Sequence, residues 1–227
     1  MSLPDVKPLD IVADGIPFVR VDLTGLSDNL DIVADGILWL GYQAAVAGSA
    51  TAYPGTVVDD ASVGVQAWSN PGNASADDGS NAVSTIGLSY TETGYGAQLI
   101  VGDSPTGDKK TSTLDTTLRA GEYGGAADLW GCTLTPSIVN ASNFGVGYQS
   151  VGMGGISHRL KATNFGFNIP AGSRIDGVLV TIERQITGSG PYYNNIDYVK
   201  MQVYYTEGAG TSSIAIAAAA YYRRLRS

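Results

Sequence analysis

The sequence contains a single histidine, His158, and a single cysteine, Cys132, among its 227 residues. With one cysteine no disulfide can form within the chain, so we expect this thiol to behave as a small buried apolar group. One histidine and one cysteine are too few for a zinc site. A Ser-His-Asp triad would have to use His158, and its neighbours Ser157 and Arg159 show no Gly-x-Ser-x-Gly nucleophile signature. We therefore predict a protein that is not an enzyme and that uses no cofactor and no metal.

Charged residues are also scarce, because they make up 15% of the chain, and the formal net charge is −8. A nucleic-acid-binding protein needs a basic field to displace counterions from phosphates, so we predict no nucleic-acid partner. The apolar run from Ile214 to Tyr222 is far shorter than a bilayer-spanning segment. The first residues lack the basic and apolar regions of a secretory signal. We expect no membrane partner and synthesis in the cytoplasm of a host cell.

Helical periodicity is nearly absent, whereas turn-forming residues are abundant, with 30 glycines in the chain. Two segments, 174–184 and 199–205, alternate apolar and polar residues as half-buried strands do. Short strands separated by polar turns predict an all-β fold, an antiparallel β-sandwich of jelly-roll-like type. The polar stretch 104–123 is predicted to be a surface loop. Residues 213–225 fit either a helix or a strand.

The clearest internal feature is a repeat, in which Leu9–Ile16 recurs as Leu30–Ile37 with eight identities at an offset of 21 residues. Each copy predicts a β-hairpin, because a β-branched segment is followed by an Asp-Gly turn and a second apolar segment. The residues expected to form the contacts of the two copies are Leu9, Ile11, Val12, Asp14, Gly15 and Phe18, and Leu30, Ile32, Val33, Asp35, Gly36 and Trp39.

Hairpins of this size bury little surface by themselves. They either stack on each other or on the main domain, or they form an arm that places two equivalent hairpins into two equivalent pockets of a symmetric neighbour. We adopt the arm and predict four regions: the arm (1–45), a linker (46–60), the β-sandwich (61–208) and a C-terminal tail (209–227). The tail carries Arg223, Arg224 and Arg226, which form either a solvated terminus or a docking site for an acidic partner surface.

Carboxylates and tyrosines give weaker signals. Glycoside hydrolysis needs two carboxyl groups, but aspartates in glycine-rich and serine-rich turns usually accept hydrogen bonds from the local backbone. The oxygen-rich loop 73–81 has the ligand chemistry of calcium without the EF-hand spacing. Tyrosines at loop tips could stack on sugars. The carboxylate pairs considered for hydrolysis are Asp59 with Asp60, Asp77 with Asp78, and Asp103 with Asp108. The tyrosines considered for sugar stacking are Tyr90, Tyr95, Tyr123, Tyr148, Tyr192, Tyr193, Tyr204 and Tyr205.

Several phrases of the sequence resemble a known module. Tyr123–Gly131 reads YGGAADLWG, and Leu160–Val178 contains the phrase Asn-Phe-Gly-Phe-x-Ile-Pro. With Val139–Val146, Trp68–Pro71 and Val199–Thr206, these phrases resemble a β-sandwich module of bacteriophage and prophage virion structural proteins. The resemblance spans residues 61 to 206. It implies assembly rather than catalysis and brings no catalytic residues.

The sequence thus predicts a non-enzymatic phage virion structural protein, such as a capsid decoration, collar or tail accessory protein, that assembles through its N-terminal arm. The expected partners are further copies of the chain, as a homo-oligomer, and other virion proteins of the capsid, portal, neck or tail. The expected location is the virion. The alternative is a carbohydrate-binding module of a phage receptor-binding fibre, whose partner would be a surface glycan.

Overall fold

The computed structural model describes residues 45–87, 96–111, 116–152 and 155–208. Within these ranges the chain forms thirteen strands, a 3₁₀ turn at Pro71–Ala74 and a single-turn helix α1 at Pro136–Val139. No helix among the described residues has the length and apolarity needed to cross a membrane. The strands are β1 (Ala47–Ala52), β2 (Thr56–Asp60), β3 (Trp68–Ser69), β4 (Ala82–Gly87), β5 (Gly96–Val101), β6 (Ser104–Thr111), β7 (Arg119–Gly125), β8 (Gly145–Gln149), β9 (Val151–Gly152), β10 (Gly155–Ile156), β11 (Arg159–Thr163), β12 (Arg174–Thr187) and β13 (Tyr192–Thr206).

The strands form two main sheets, and the named strands all pair antiparallel. The larger sheet has the order β3-β4-β13-β12-β7. Strand β4 pairs with the first part of β13, and β1 pairs with its last part, between Met201 and Thr206. The smaller sheet has the order β2-β11-β8-β5-β6, while β9 and β10 pair only with each other.

One hydrophobic core joins the inner faces of the two sheets. Every second residue in the middle of β12 and β13 is buried, as expected for strands with one face toward a core. Burying each large aliphatic side chain contributes roughly 1.5–3 kcal/mol to folding. The predicted antiparallel β-sandwich is confirmed, and so are the strands predicted at 174–184 and 199–205. The core includes Val178, Val180, Ile182, Val199, Met201 and Val203 from the larger sheet and Leu99, Val146 and Leu160 from the smaller one.

Two predictions about connecting segments are wrong. Residues 46–60 are not a linker, because they supply β1 to the larger sheet and β2 to the smaller one. The sandwich therefore begins at Ala47 rather than at residue 61, and it ends at Glu207. The predicted loop 104–123 contains β6 and the first part of β7. Both are edge strands, which tolerate polar residues because one edge meets solvent.

Residues 1–44 and 209–227 lie outside the described residues. The predictions for the repeat residues between Leu9 and Trp39 fall in this part of the chain, and so do those for Arg223, Arg224 and Arg226. The choice between helix and strand for 213–225 falls there too. These stay predictions from the sequence.

Candidate functional site

Three carboxylates cluster on the outer face of the larger sheet. Asp77 comes from the loop after the 3₁₀ turn, Glu183 from β12 and Asp197 from β13. One oxygen of each carboxylate lies within 4.8 Å of the other two. Asp77 is exposed, Glu183 is half-buried and Asp197 is only 5% exposed. The cluster therefore concentrates negative charge at a partly shielded position.

A β-bulge in β13 places Asp197 in this cluster. Glu183 pairs with Tyr198 and Arg184 pairs with Ile196, so Asp197 has no residue opposite it on β12. An extra residue of this kind interrupts the alternation of side chains along a strand. Ile196 and Val199 both belong to the core, which leaves Asp197 and Tyr198 to the outer face.

The oxygen-rich loop 73–81 folds over the cluster and onto itself. The backbone N–H of Gly79 donates to Oδ1 of Asp197 at 3.0 Å. Oδ1 of Asp78 accepts from the backbone N–H of Ser80 at 2.8 Å. Asp77 is thus the loop carboxylate that joins the cluster, while Asp78 satisfies a local turn. The three carboxylates can supply part of the roughly six to eight oxygen ligands that calcium takes, the others being water or backbone carbonyls.

The cluster changes the acidity of its own members. Partial burial, a hydrogen bond with Asp197 and the charges of Asp197 and Asp77 raise the pKa of Glu183 above its usual range, while Lys200 acts in the opposite direction. Burial and the charge of Glu183 also raise the pKa of Tyr198. The ring of Tyr198 packs edge-on against Tyr53, with ring centres 5.8 Å apart. The arrangement can hold a proton between two carboxyl groups.

The carboxylates that are adjacent in sequence do not share a site. Oδ2 of Asp59 lies 2.9 Å from Nδ1 of His158, and its Oδ1 accepts from the backbone N–H of Trp68 at 3.1 Å. Asp60 instead pairs with Nη1 of Arg159 at 2.9 Å. Successive residues of a strand point to opposite sides, which separates the two carboxylates. Asp59 thus connects β2 to His158 and Trp68, and Asp60 forms an ion pair with Arg159, the first residue of β11.

Structural partners also engage the carboxylate of Asp103, the backbone of Asp108 and the hydroxyl of Ser157. Asp103 pairs with Lys161 at 2.7 Å, and the backbone N–H of Asp108 donates to the carbonyl of Trp130 at 2.7 Å. The hydroxyl of Ser157 donates to the carbonyl of His158 at 2.8 Å and accepts from the backbone N–H of Ser150 at 2.9 Å. Its oxygen is therefore engaged by the backbone on both sides, which gives it the role of a structural hydroxyl.

Most of the tyrosines proposed for sugar stacking are not exposed. Tyr123 and Tyr148 are buried, at 2% and 1% exposure, which makes that prediction wrong for both. The guanidinium of the buried Arg184 donates to the Tyr123 hydroxyl, and the amide of Asn194 donates to the Tyr148 hydroxyl at 3.4 Å. Of the eight proposed tyrosines, Tyr192, Tyr204 and Tyr205 are half-buried, Tyr193 is 36% exposed, and Tyr90 and Tyr95 lie outside the described residues.

The sequence segments that carry the family resemblance contact one another in the fold. Trp130 is fully buried, and its indole N–H donates to the carbonyl of Val178 at 2.9 Å. The backbone N–H of Val178 donates in turn to the carbonyl of Asp128 at 2.9 Å. The side-chain amide of Asn140 both donates to the carbonyl of Ile169 and accepts from its N–H, each at 2.9 Å. These residues hold the sandwich together.

Comparisons of the chain with protein-family models, with curated proteins and with solved structures found no match.

Proposed function

We propose that this chain is a non-enzymatic structural protein of a bacteriophage virion, which assembles with copies of itself and with other virion proteins through its N-terminal arm. The observation that carries the proposal is the duplication of Leu9–Ile16 as Leu30–Ile37, ahead of a domain that has its own core. Residues 47–207 supply both sheets and the core between them. A repeated adhesive segment beside an independent domain suits binding to repeated sites in a lattice.

The geometry of the chain ends supports this proposal. Ala47, the first residue of β1, pairs with Thr206, the last residue of β13. The chain therefore enters and leaves the sandwich at the same end. The arm contains seven aspartates against Lys7 and Arg20, whereas the tail carries three arginines and no acidic residue. The two segments that join the sandwich at this end therefore carry net charges of opposite sign.

The virion setting is supported by the resemblance of the phrases at 123–131 and 160–178. These segments meet in the fold, because the indole N–H of Trp130 donates to the carbonyl of Val178. Asp60 and Asp103, which were proposed for catalysis, form ion pairs. Asp59 contacts His158, and Asp78 accepts a hydrogen bond within a turn. A scaffold of this kind suits display or packing in a particle better than turnover of a substrate.

Incorporation into particles tests the proposal. The full chain, a variant lacking residues 1–45 and a variant lacking residues 9–29, which keeps one copy of the repeat, are each produced in cells that assemble the particles. Purified particles are then assayed for the chain by quantitative mass spectrometry. We expect the full chain in the particles, less of the single-repeat variant and none of the armless one.

Circular dichroism and thermal melting of the armless variant provide the folding control, since its sandwich should remain intact. A folded armless variant that enters particles as well as the full chain does would overturn the anchoring role of the arm. Absence of the full chain from purified particles would overturn the virion assignment itself.

A further inference from the structure

The edge strands of the two sheets differ in how they are protected against pairing with another chain. Among the described strands, β1, β3 and β7 form edges of the larger sheet, and β2 and β6 form those of the smaller one. Proteins usually protect such edges by shortness, charge or proline. Four of these five strands have such protection: two-residue length in β3, Asp59 and Asp60 in β2, Pro105, Lys109 and Lys110 in β6, and Arg119 and Glu122 in β7.

Strand β1 has none of these protections. Its six residues read Ala-Gly-Ser-Ala-Thr-Ala, without charge or proline. Ala47, Ser49 and Thr51 are exposed, and no side chain of the strand is long enough to cover its backbone edge. The strand is flanked by two exposed apolar residues, Val46 at 56% and Tyr53 at 40% exposure. Among the described residues no strand pairs with the outer edge of β1, and such an edge with an apolar residue at either end is a template for strand addition.

We propose that the free edge of β1 pairs antiparallel with β1 of a second copy of this chain, so that the larger sheets of the two copies become continuous. A two-fold axis brings the same strand against itself, and any charge near the axis would face its own copy. Residues directly opposite each other in a sheet point to the same face. The two-fold axis must therefore lie between one residue of β1 and the same residue of the second copy. Centred on Ser49, it places Ala47 opposite Thr51 and Gly48 opposite Ala50, all small and uncharged.

The contact between two β1 strands would be one self-contact within the proposed assembly, and its biological role rests on that proposed function. Its geometry, however, uses only β1 and the two residues that flank it. The arm and the β1 edge can therefore be tested by different variants, and one can fail without the other.

The experiment measures self-association of the full chain by sedimentation equilibrium. We expect a reversible dimer in the parent protein. Ser49→Lys places two positive charges opposite each other at the axis and should raise the dimer dissociation constant at least tenfold. Val58→Lys, at an exposed position of the β2 edge, is the matched control and should leave the constant unchanged.

Mixing the variants separates repulsion from misfolding. An equimolar mixture of Ser49→Lys and Ser49→Glu chains should restore pairing, because opposite charges then face each other across the axis. A parent protein that is monomeric would overturn the proposal. So would a dimer that Ser49→Lys leaves unchanged, a loss that the mixture does not restore, or a dimer that disappears only when residues 1–45 are removed.

Discussion

One carboxylate oxygen of Glu183 lies within 4.8 Å of one of Asp197 on the outer face of the larger sheet. Partial burial and the neighbouring negative charges raise the pKa of Glu183 in the folded protein. Between the unfolded pKa and this raised value, the folded state binds more protons than the unfolded one. The stability of the fold therefore falls as the pH rises through that window.

Replacing Glu183 with glutamine should raise the free energy of unfolding at pH 7, because the variant keeps a hydrogen-bonding group without the charge. Glu183 is partly exposed, so solvent screening should limit the gain to about 1 kcal/mol or less. The gain should shrink toward pH 4, because the parent carboxyl becomes increasingly protonated in both states. Urea denaturation at the two pH values measures it.

The exposed Glu122 on β7 provides the matched control, and Glu122→Gln should change the stability little at either pH. A Glu183→Gln variant that is less stable than the parent at pH 7, or that differs from it equally at both pH values, would contradict the electrostatic account of the cluster.

Trp130→Phe should destabilise the sandwich by about 2–4 kcal/mol, because it leaves a cavity and removes the donor to the carbonyl of Val178. The midpoint of urea denaturation measures the loss. The matched control is Tyr193→Phe, which removes one hydroxyl at an exposed ring and should change the stability by less than about 0.5 kcal/mol. Similar losses of stability for the two variants would contradict a structural role for the contact between Trp130 and Val178.

Two glycines with the same backbone conformation provide a second test of that connection. Gly124 and Gly172 have φ values of +82° and +85°. A Cβ at Gly124 would lie 2.3 Å from the Val178 carbonyl oxygen and 2.5 Å from Nε1 of Trp130, whereas nothing lies within 4 Å of one at Gly172. Alanine at either position should cost about 1–2 kcal/mol for the left-handed backbone.

Gly124→Ala should cost roughly 1–3 kcal/mol more than Gly172→Ala, because the carbonyl or the indole ring must move to admit the new methyl group. Thermal melting of the two variants side by side measures the difference. Equal losses of stability would contradict the close approach of Trp130 and Val178 to Gly124.

The strands that could be predicted from the sequence are those in which apolar and polar residues alternate because one face packs on the core. Strands β12 and β13 alternate strongly and pack on the core, so both were predictable. Strand β1 is built from small residues and β6 from polar ones, and a strand at the edge of a sheet needs no apolar alternation. The linker predicted at 46–60 and the loop predicted at 104–123 were wrong for this reason.

The carboxylate cluster could not be predicted from spacing. Asp77, Glu183 and Asp197 lie in three separate segments, and their meeting depends on a bulge in β13 that no residue pattern marks. The pair Asp59 and Asp60, by contrast, is adjacent in sequence but is separated by the alternation of a strand. For carboxylates on strands, neighbours in sequence are poor candidates for a shared site.

The proposed assembly requires both copies of the repeat to bind neighbouring subunits. An electron cryo-microscopy map of the assembled particle, at a resolution that traces the chain, would show these contacts. We expect Leu9–Ile16 and Leu30–Ile37 each to contact a subunit other than their own, at two equivalent sites. A map in which both segments pack only against their own sandwich and touch no other subunit would contradict it.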